Sequence, residues 1–187
     1  LPLIYFTIKY GLVILKEYSL IFLLVCFQGF IGWYMVSSGL VDRVDVSHYR
    51  LSLHLVTAFI ILSLVFWKFL KLTEINKNKT SMKLYLIKLF LFLIFLQLLI
   101  GAFVSGMDAG KIYNSWPLMG SSYFPDDSKI TEFLNLNLFD NPSLVQFIHR
   151  NLAYLIVFIY IYILHSVFKD GNYKLRFPIL IIGISLF

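Results

Sequence analysis

The sequence predicts an all-α integral membrane protein, a transmembrane helix bundle, and two observations support this fold class. Of its 187 residues, 59% are hydrophobic and 18% aromatic, while only 14% are charged, which is far from the balance of a soluble domain. Four stretches contain no Asp, Glu, Lys or Arg, and each is near the roughly 20 residues that cross a bilayer core as a helix. We therefore expect every long apolar run to be a membrane span.

The charge-free stretches locate the spans along the chain. They lie between Glu17 and Asp42, between Arg50 and Lys68, between Lys88 and Asp108, and between Arg150 and Lys169. We predict one transmembrane domain over residues 1–187, with spans at about 18–40, 48–70, 84–106 and 143–168, the start of another at 177–187, and an outer loop at 107–142. Since Leu1 is not a methionine and the last apolar run stops at Phe187, we expect an internal fragment without a processed signal peptide.

The distribution of charge predicts the orientation of the spans. The connection between the second and third spans is rich in lysine, with Lys68, Lys71, Lys77, Lys79, Lys83 and Lys88. The 107–142 loop instead contains five acids, Asp108, Asp126, Asp127, Glu132 and Asp140. We therefore expect a bacterial or mitochondrial inner-membrane protein whose acidic loop faces the periplasm or its mitochondrial counterpart. Orientation and anionic lipid account for the net charge of +6, which therefore does not imply nucleic-acid binding.

Two histidines, His54 and His149, lie inside the second and fourth predicted spans. An ionisable side chain in a span is costly and is functional by default, and haem iron is one partner that accounts for an imidazole there. Helix starts near Ser47 and at the Asn141 N-cap place both rings about 10 Å inside the outer helix ends. Both are therefore candidate metal ligands in one membrane layer. The alternative is that each imidazole hydrogen-bonds a neighbouring helix.

An arginine accompanies each of these histidines. Arg50 lies one turn before His54 on the same helix face, whereas Arg150 directly follows His149. The planar guanidinium fork suits carboxylates such as haem propionates better than lysine does. Both arginines are therefore candidate cofactor-binding residues. The alternative is that they extend to the outer membrane interface.

A weak internal repeat precedes each histidine span. Gln28 and Gly32 in the first span are echoed by Gln97 and Gly101 in the third. A Gln and a Gly one turn apart put an amide and a point of close approach on one helix face. This pattern favours either tight packing of neighbouring helices or a flat ring lying against the backbone.

Polar and aromatic features at the span ends are interpreted as interfacial. His48 lies at the water boundary, and His165 is four residues from Lys169, so neither is expected to be a ligand. The 107–125 part of the outer loop is rich in Tyr, Trp, Gly and Pro. It is expected to form an ordered cap, the alternative being an interfacial loop with an aromatic belt.

Four segments of the chain, in this order, resemble the haem A synthase family. They are Gly-Trp-Tyr-Met-Val at 32–36 with Ser-Gly-Leu at 38–40, Ser-His-Tyr-Arg-Leu-Ser-Leu-His-Leu at 47–55, the 101–119 segment, and Val-Gln-Phe-Ile-His-Arg at 145–150. The resemblance covers essentially the whole chain, and Asp-Ala-Gly-Lys-Ile-Tyr-Asn at 108–114 is its most specific part. Members of this family are integral-membrane enzymes that oxidise haem O to haem A for cytochrome oxidase.

The resemblance implies an eight-helix bundle of two similar four-helix halves, of which this chain would hold the third to sixth helices. His54 would belong to the half that handles the substrate haem O, and His149 to the half that holds haem b. The family's Glu-x-x-His-Arg segment and outer-loop cysteines would lie before Leu1, so we assign no catalytic residue and expect the fragment alone to be inactive. Gln146 stands three residues before His149, where the family's first half has its acid, which implies a second site without catalysis.

The resemblance also implies a reaction and partners. The family oxygenates a haem methyl group twice, giving a hydrated aldehyde that loses water to a formyl group, with iron and porphyrin supplying the hard chemistry. The implied partners are membrane lipid, haem O, an electron donor such as a ferredoxin, haem O synthase and a second copy of the chain. The leading alternative is a bis-histidine haem b electron-transfer protein. A transporter or an assembly factor would need no haem, and broken helices or mid-membrane acids typical of transporters are not seen in the sequence.

Overall fold

The computed structural model describes residues 2–37, 46–72, 84–171 and 173–186. Six α-helices lie in these ranges, and we label them α1 (Pro2–Tyr10), α2 (Leu12–Val36), α3 (His48–Leu72), α4 (Leu84–Gly106), α5 (Pro142–Lys169) and α6 (Tyr173–Leu186). Short 3₁₀ segments at Ala109–Lys111, Ile130–Leu134 and Leu136–Asp140 lie in the connection from α4 to α5. The described residues form no β-strand, and the predicted all-α fold class is confirmed.

Four of the described helices are long and apolar enough to cross a membrane. They contain the segments Tyr18–Val36, His48–Leu72, Tyr85–Gly106 and Pro142–Lys169. The prediction of a helical membrane bundle is therefore confirmed. The Ser38-Gly39 pair, most of the loop before His48, and the lysine-rich residues between 73 and 83 lie outside the described residues.

The chain forms two compact units, Leu1–Asn76 and Lys77–Phe187. In the first unit, Gly11 separates α1 from α2 with a backbone φ of 87°, a conformation that glycine adopts readily. Helices α2 and α3 run antiparallel, because Gln28 contacts His54 while Lys68, near the far end of α3, lies over the ring of Tyr18. The unit is therefore a helical hairpin preceded by the short helix α1.

In the second unit, α5 packs against both α4 and α6. The buried core side chains of this packing include Phe90, Ile100, Phe103, Val145, Ile156, Ile163 and Val167. The buried hydroxyl of Tyr160 donates a hydrogen bond of 3.0 Å to the carbonyl of Ile179 in α6. A side chain at Gly183 would collide with Tyr160, so the glycine permits this contact. Close packing and interhelical hydrogen bonds are what stabilise helices inside a bilayer.

Helix α5 begins with a side-chain cap. The Asn141 side chain accepts hydrogen bonds from the backbone N–H groups of Ser143 and Leu144, at 3.0 and 3.2 Å, and Pro142 occupies the first turn. These are the usual partners of an N-terminal cap, so the predicted start of this helix is confirmed. Counted from the helix starts at His48 and Pro142, His54 and His149 lie about 9 and 10 Å along their helices.

Candidate functional site

In the first unit, the ring of His54 faces helix α2. The Gln28 amide nitrogen lies 3.2 Å from Nδ1 and 3.3 Å from Nε2 of the His54 ring, and it donates a 2.9 Å hydrogen bond to the His54 carbonyl. The ring is half-buried between the two helices. His54 is therefore held by a side chain of the preceding helix instead of pointing into lipid.

In the second unit, His149 repeats this arrangement on α4. The Gln97 amide nitrogen lies 3.2 Å from His149 Nε2 and 3.3 Å from the His149 carbonyl. The other ring nitrogen, Nδ1, is buried and has no hydrogen-bond partner among the described residues. The Oε1 atom of Gln97 is also buried without a partner there. One ring nitrogen of His149 is thus available to a further partner.

A glycine makes room for each imidazole. A methyl group on Gly32 would lie 3.1 Å from Cε1 of His54, and one on Gly101 would lie 3.2 Å from Cε1 of His149. Carbon atoms in ordinary contact are about 3.5–4.0 Å apart, so either ring would have to move. Of the two alternatives that the repeat left open, the structure shows close packing of neighbouring helices, in which each glycine accommodates an imidazole of the next helix. We name each set of Gln, Gly and His a histidine cradle.

Replacing glycines in α2 with alanine tests this role of Gly32. Gly29, one turn earlier, meets nothing within 4 Å, so Gly29→Ala is expected to stabilise the protein by about 0.4–1 kcal/mol, as glycine replacements at compatible helix positions do. Gly32→Ala is expected to destabilise it by about 1–3 kcal/mol, the usual effect of overpacking. Chemical or thermal unfolding in detergent measures both. Equal stabilisation by the two variants would contradict the cradle at His54.

Both candidate arginines bind backbone carbonyl groups. Arg50 donates to the Tyr34 carbonyl at 2.8 Å, and its guanidinium lies over the Tyr34 ring, 3.8 Å from the centroid. Arg150 donates to the Ser115 carbonyl at 2.8 Å and to the Tyr113 carbonyl at 2.5 Å. A guanidinium has five N–H donors. Each arginine therefore retains donors for a carboxylate while holding a neighbouring backbone segment.

The connection from α4 to α5 forms an ordered cap over the first turns of α5. Gln146 donates to the Tyr113 carbonyl at 2.9 Å, and the indole N–H of Trp116 donates to the hydroxyl of Tyr154 at 2.7 Å. Further along the loop, the hydroxyl of Tyr123 donates to the side chain of Asn151. Because these bonds reach successive turns of the helix, the prediction of an ordered cap is confirmed.

Hydrogen bonds to two neighbouring carboxylates, Asp126 and Asp127, stabilise the conformation of the loop. Asp126 accepts hydrogen bonds from the backbone and hydroxyl of Ser121 and from the hydroxyl of Ser122, and these lower its pKa. Asp127 accepts a 2.7 Å bond from the hydroxyl of Ser143 in α5. Partial burial raises the pKa of Asp127, but hydrogen bonds from Ser143, Tyr113 and other groups outweigh burial and hold the pKa below its usual value of 3.8.

The lowered pKa of Asp127 predicts a pH dependence of the loop. A carboxyl whose pKa is lower in the folded state stabilises that state above its unfolded pKa, and this contribution is lost as the pH falls through the folded pKa. We therefore expect the attachment of the loop to α5 at Asp127 to weaken as the pH falls below the usual pKa of a carboxyl, and to be lost when the pH reaches the lower pKa of the folded state. The fluorescence of Trp116, in a protein with the other two tryptophans replaced by phenylalanine, reports this. Asp127→Asn should weaken this acid transition, and an unchanged transition would contradict the role of Asp127.

Two further features of the described residues bear on the kind of site. No three His, Cys, Asp or Glu side chains of the described part come together as a group able to hold a metal ion. A cavity of about 570 Å³ between α1 and α2 is lined by apolar and aromatic side chains that all precede Gln28, namely Phe6, Tyr10, Ile14, Tyr18, Ile21 and Phe22. None of these side chains belongs to the histidine cradle at His54.

Sequence reasoning identified the histidines, the arginines and the Gln/Gly repeat, but not how they combine. The equal spacing of Gln and Gly in the two copies indicated a shared role, but not which residue of the next helix each pair contacts. The backbone carbonyls of Tyr113 and Ser115 as partners of Arg150, and the bond from Ser143 to Asp127, have no signal in the sequence. His48 lies at the first residue of α3, and His165 is exposed near the end of α5.

Comparison with known proteins identifies the family. The family model described as cytochrome oxidase assembly protein matches residues 1–186. A protein named Heme A synthase from Pelagibacter ubique is 47% identical over 178 residues, which are 94% of this chain and 53% of that protein. Proteins with the same name from Rickettsia bellii and Wolbachia pipientis are 41% and 43% identical, over 100% and 84% of this chain and 57% and 47% of their own lengths.

The chain thus spans about half the length of the curated relatives it matches. No solved structure matches it significantly. The family match nevertheless covers nearly every residue, including both histidine cradles and the loop that caps α5. The chain therefore belongs to the cytochrome oxidase assembly protein family that includes the haem A synthases.

Proposed function

We propose that this chain forms the haem-binding part of a haem A synthase, an oxidoreductase that converts the methyl group of haem O to the formyl group of haem A. The observation that supports this most directly is the duplicated histidine cradle. Two half-buried imidazoles, each seated on a glycine and contacted by a glutamine of the preceding helix, recur in two units of one chain. Such a duplication would provide two related haem sites in one enzyme.

The residues fit a haem ligand on a structural criterion. His149 Nδ1 is buried without a partner among the described side chains and backbone groups, and a buried polar atom without a partner is costly. Iron is a partner that an imidazole nitrogen can take. We assign His149 as the ligand of haem b and His54 as the residue that ligates or positions haem O. Bound haem would supply iron for oxygen and electron chemistry, while the protein orients the ring and excludes water.

The arginines and the loop have complementary tasks in this proposal. Arg50 and Arg150 stand near the ends of the spans where the histidines lie, with donors left for propionate carboxylates. Arg150 also ties the Tyr113 and Ser115 carbonyls to α5. The loop is thereby held over the end of the helix that carries His149, where it limits access of water to the ring.

The cellular setting follows from charge and composition. We place the protein in a bacterial or mitochondrial inner membrane, with the acidic loop and the haem-ligand ends of the helices on the periplasmic or equivalent side. Membrane lipid surrounds the apolar helices. An electron donor such as a ferredoxin, haem O synthase as the supplier of substrate, and a second copy of the chain are the proposed partners.

Product analysis tests the proposed function. The full-length gene product, expressed in a host that makes haem O but no haem A, is expected to yield haem A, which extraction and chromatography identify. Stable haem b without haem A would instead support a bis-histidine electron-transfer protein. A colourless purified protein would exclude both functions.

A further inference from the structure

Basic and aromatic residues come together at the turn from α5 to α6, at the end of α5 opposite the histidine. Helix α5 ends at Lys169 and α6 begins at Tyr173. Two further cations, Lys174 and Arg176, lie within the first turn of α6. Asp170 is the acid of this segment. Three cations therefore stand against one carboxylate at the turn.

The guanidinium of Arg176 packs against two aromatic rings at this turn. Its central carbon lies 4.8 Å from the centroid of the Phe168 ring and 4.2 Å from that of the Tyr173 ring. Nη2 donates a long hydrogen bond of 3.5 Å to the Phe168 carbonyl at the exposed surface, whereas Nε is buried. A guanidinium has five N–H donors, and aromatic rings do not neutralise its charge. The Nη groups are therefore the part of Arg176 that can bind an anion.

The cations near the other end of α5 are bound differently. Lys111 forms an ion pair of 2.8 Å with Asp108, and Arg150 donates to two carbonyl groups of the loop that caps α5. Neither Lys169 nor Arg176 has a carboxylate partner among the residues that the structure describes. The positive charge of these two side chains is therefore available to an anion from outside the protein.

The position of the turn indicates which anion can reach it. The apolar segment Pro142–Lys169 is long enough to cross a membrane, so its last residues lie where the hydrocarbon of the bilayer meets water. The side chains of Tyr173 and Phe177 are exposed beside the cations, and exposed aromatic rings are typical of the headgroup layer. An acidic protein would account for the charges alone, whereas a phospholipid accounts for the charges and the exposed rings together.

We propose that the turn from α5 to α6 is a binding site for the headgroup of an anionic phospholipid. Arg176 supplies N–H donors in a planar fork that suits a phosphate group. Lys169 and Lys174 add positive charge, as basic residues next to membrane spans do where they bind anionic lipid. The site requires that the helices cross a membrane but not that the histidines bind haem, so failure of either proposal leaves the other standing.

Lipid titration of the full-length protein in detergent tests the site, with native mass spectrometry as the readout. We expect phosphatidylglycerol to bind about 10-fold or more tightly than phosphatidylcholine, since one basic residue near the headgroups contributes about fivefold. An excess of inorganic phosphate should not displace the phosphatidylglycerol. Equal binding of the two lipids would overturn the proposal. Displacement by inorganic phosphate would assign the site to a free anion and would also overturn it.

Substitutions at Arg176 separate a built site from general attraction of charge. Arg176→Gln is expected to weaken phosphatidylglycerol binding by about fivefold. Arg176→Lys keeps the charge but loses the planar fork, so we expect a smaller loss. If Arg176→Lys bound this lipid as tightly as the unchanged protein, charge alone would explain the binding and the site would be wrong.

Lys111→Gln is the matched control, because it also removes one positive charge but lies near the other end of α5, where Lys111 pairs with Asp108. We expect it to bind phosphatidylglycerol as the unchanged protein does. A loss as large as that of Arg176→Gln would contradict a site at the turn. Lys169→Gln, which changes an exposed side chain, is also expected to weaken binding about fivefold and decides the question if protein changed at position 176 does not fold.

Discussion

Replacing His149 with alanine in the full-length protein is expected to remove one haem from the purified enzyme. The imidazole is half-buried against α4, and its Nδ1 has no other partner among the described residues. Alanine supplies no ligand atom, so the nitrogen that would hold the iron on this helix is lost. The absorption bands of haem b should disappear or change, while the haem associated with His54 is retained.

His165→Ala provides the control for this substitution. His165 lies on the same helix as His149 but is exposed near its other end, so its loss should leave haem content and spectra unchanged. Pyridine haemochrome analysis gives the number of haems per protein in both variants. Two haems with unaltered spectra in His149→Ala would exclude the role assigned to His149. The same result would leave the cradle as a purely structural contact between helices.

Much of the fold follows from the sequence because a bilayer imposes simple rules. Charge-free runs of about 20 residues must be helical to satisfy their backbone groups, and the four long apolar helices lie where such runs occur. The start of α5 could also be predicted, because Asn followed by Pro is a local signal for a helix N-terminus. Helix α2 begins earlier than the charge pattern indicates, at Leu12, because Lys16 and Glu17 continue the helix beyond the apolar run.

The site could be predicted only in part, because its decisive contacts join residues far apart in the sequence. Spacing within one helix puts Gln97 and Gly101 on one face, but it does not say which residue of the next helix meets them. That depends on the register of α4 against α5. Likewise, nothing local to Arg150 indicates that it binds the carbonyls of Tyr113 and Ser115. These contacts depend on the path of a long loop.

The geometry of the arginines bears on how carboxylates could enter the site. Arg150 already holds two carbonyl groups of the capping loop, and a propionate would join these bonds or displace one of them. A charge-assisted bond to a carboxylate is stronger than a bond to a neutral carbonyl. Binding of haem would therefore be coupled to the position of the 113–115 segment. The equivalent bond of Arg50 to the Tyr34 carbonyl lies within one helical hairpin and needs no loop.

Replacing His54 with alanine is expected to abolish conversion of haem O to haem A while the haem at His149 remains. His54 lies in the first unit, and its partners Gln28 and Gly32 both belong to α2, so its loss removes the imidazole proposed to position the substrate without changing α5. Extracted haems, analysed by chromatography from cells that make haem O, should contain haem O and haem b with haem A at background.

His48→Ala is the control on the same helix, since His48 lies at the first residue of α3, six positions before His54, and is expected to be interfacial. It should make haem A as the unchanged protein does. If His54→Ala made haem A and His48→Ala did not, the role of positioning the substrate would belong to His48 and not to His54. Loss of both haems in His54→Ala would instead show that the two cradles depend on each other, and the assignment of one task to each unit would fail.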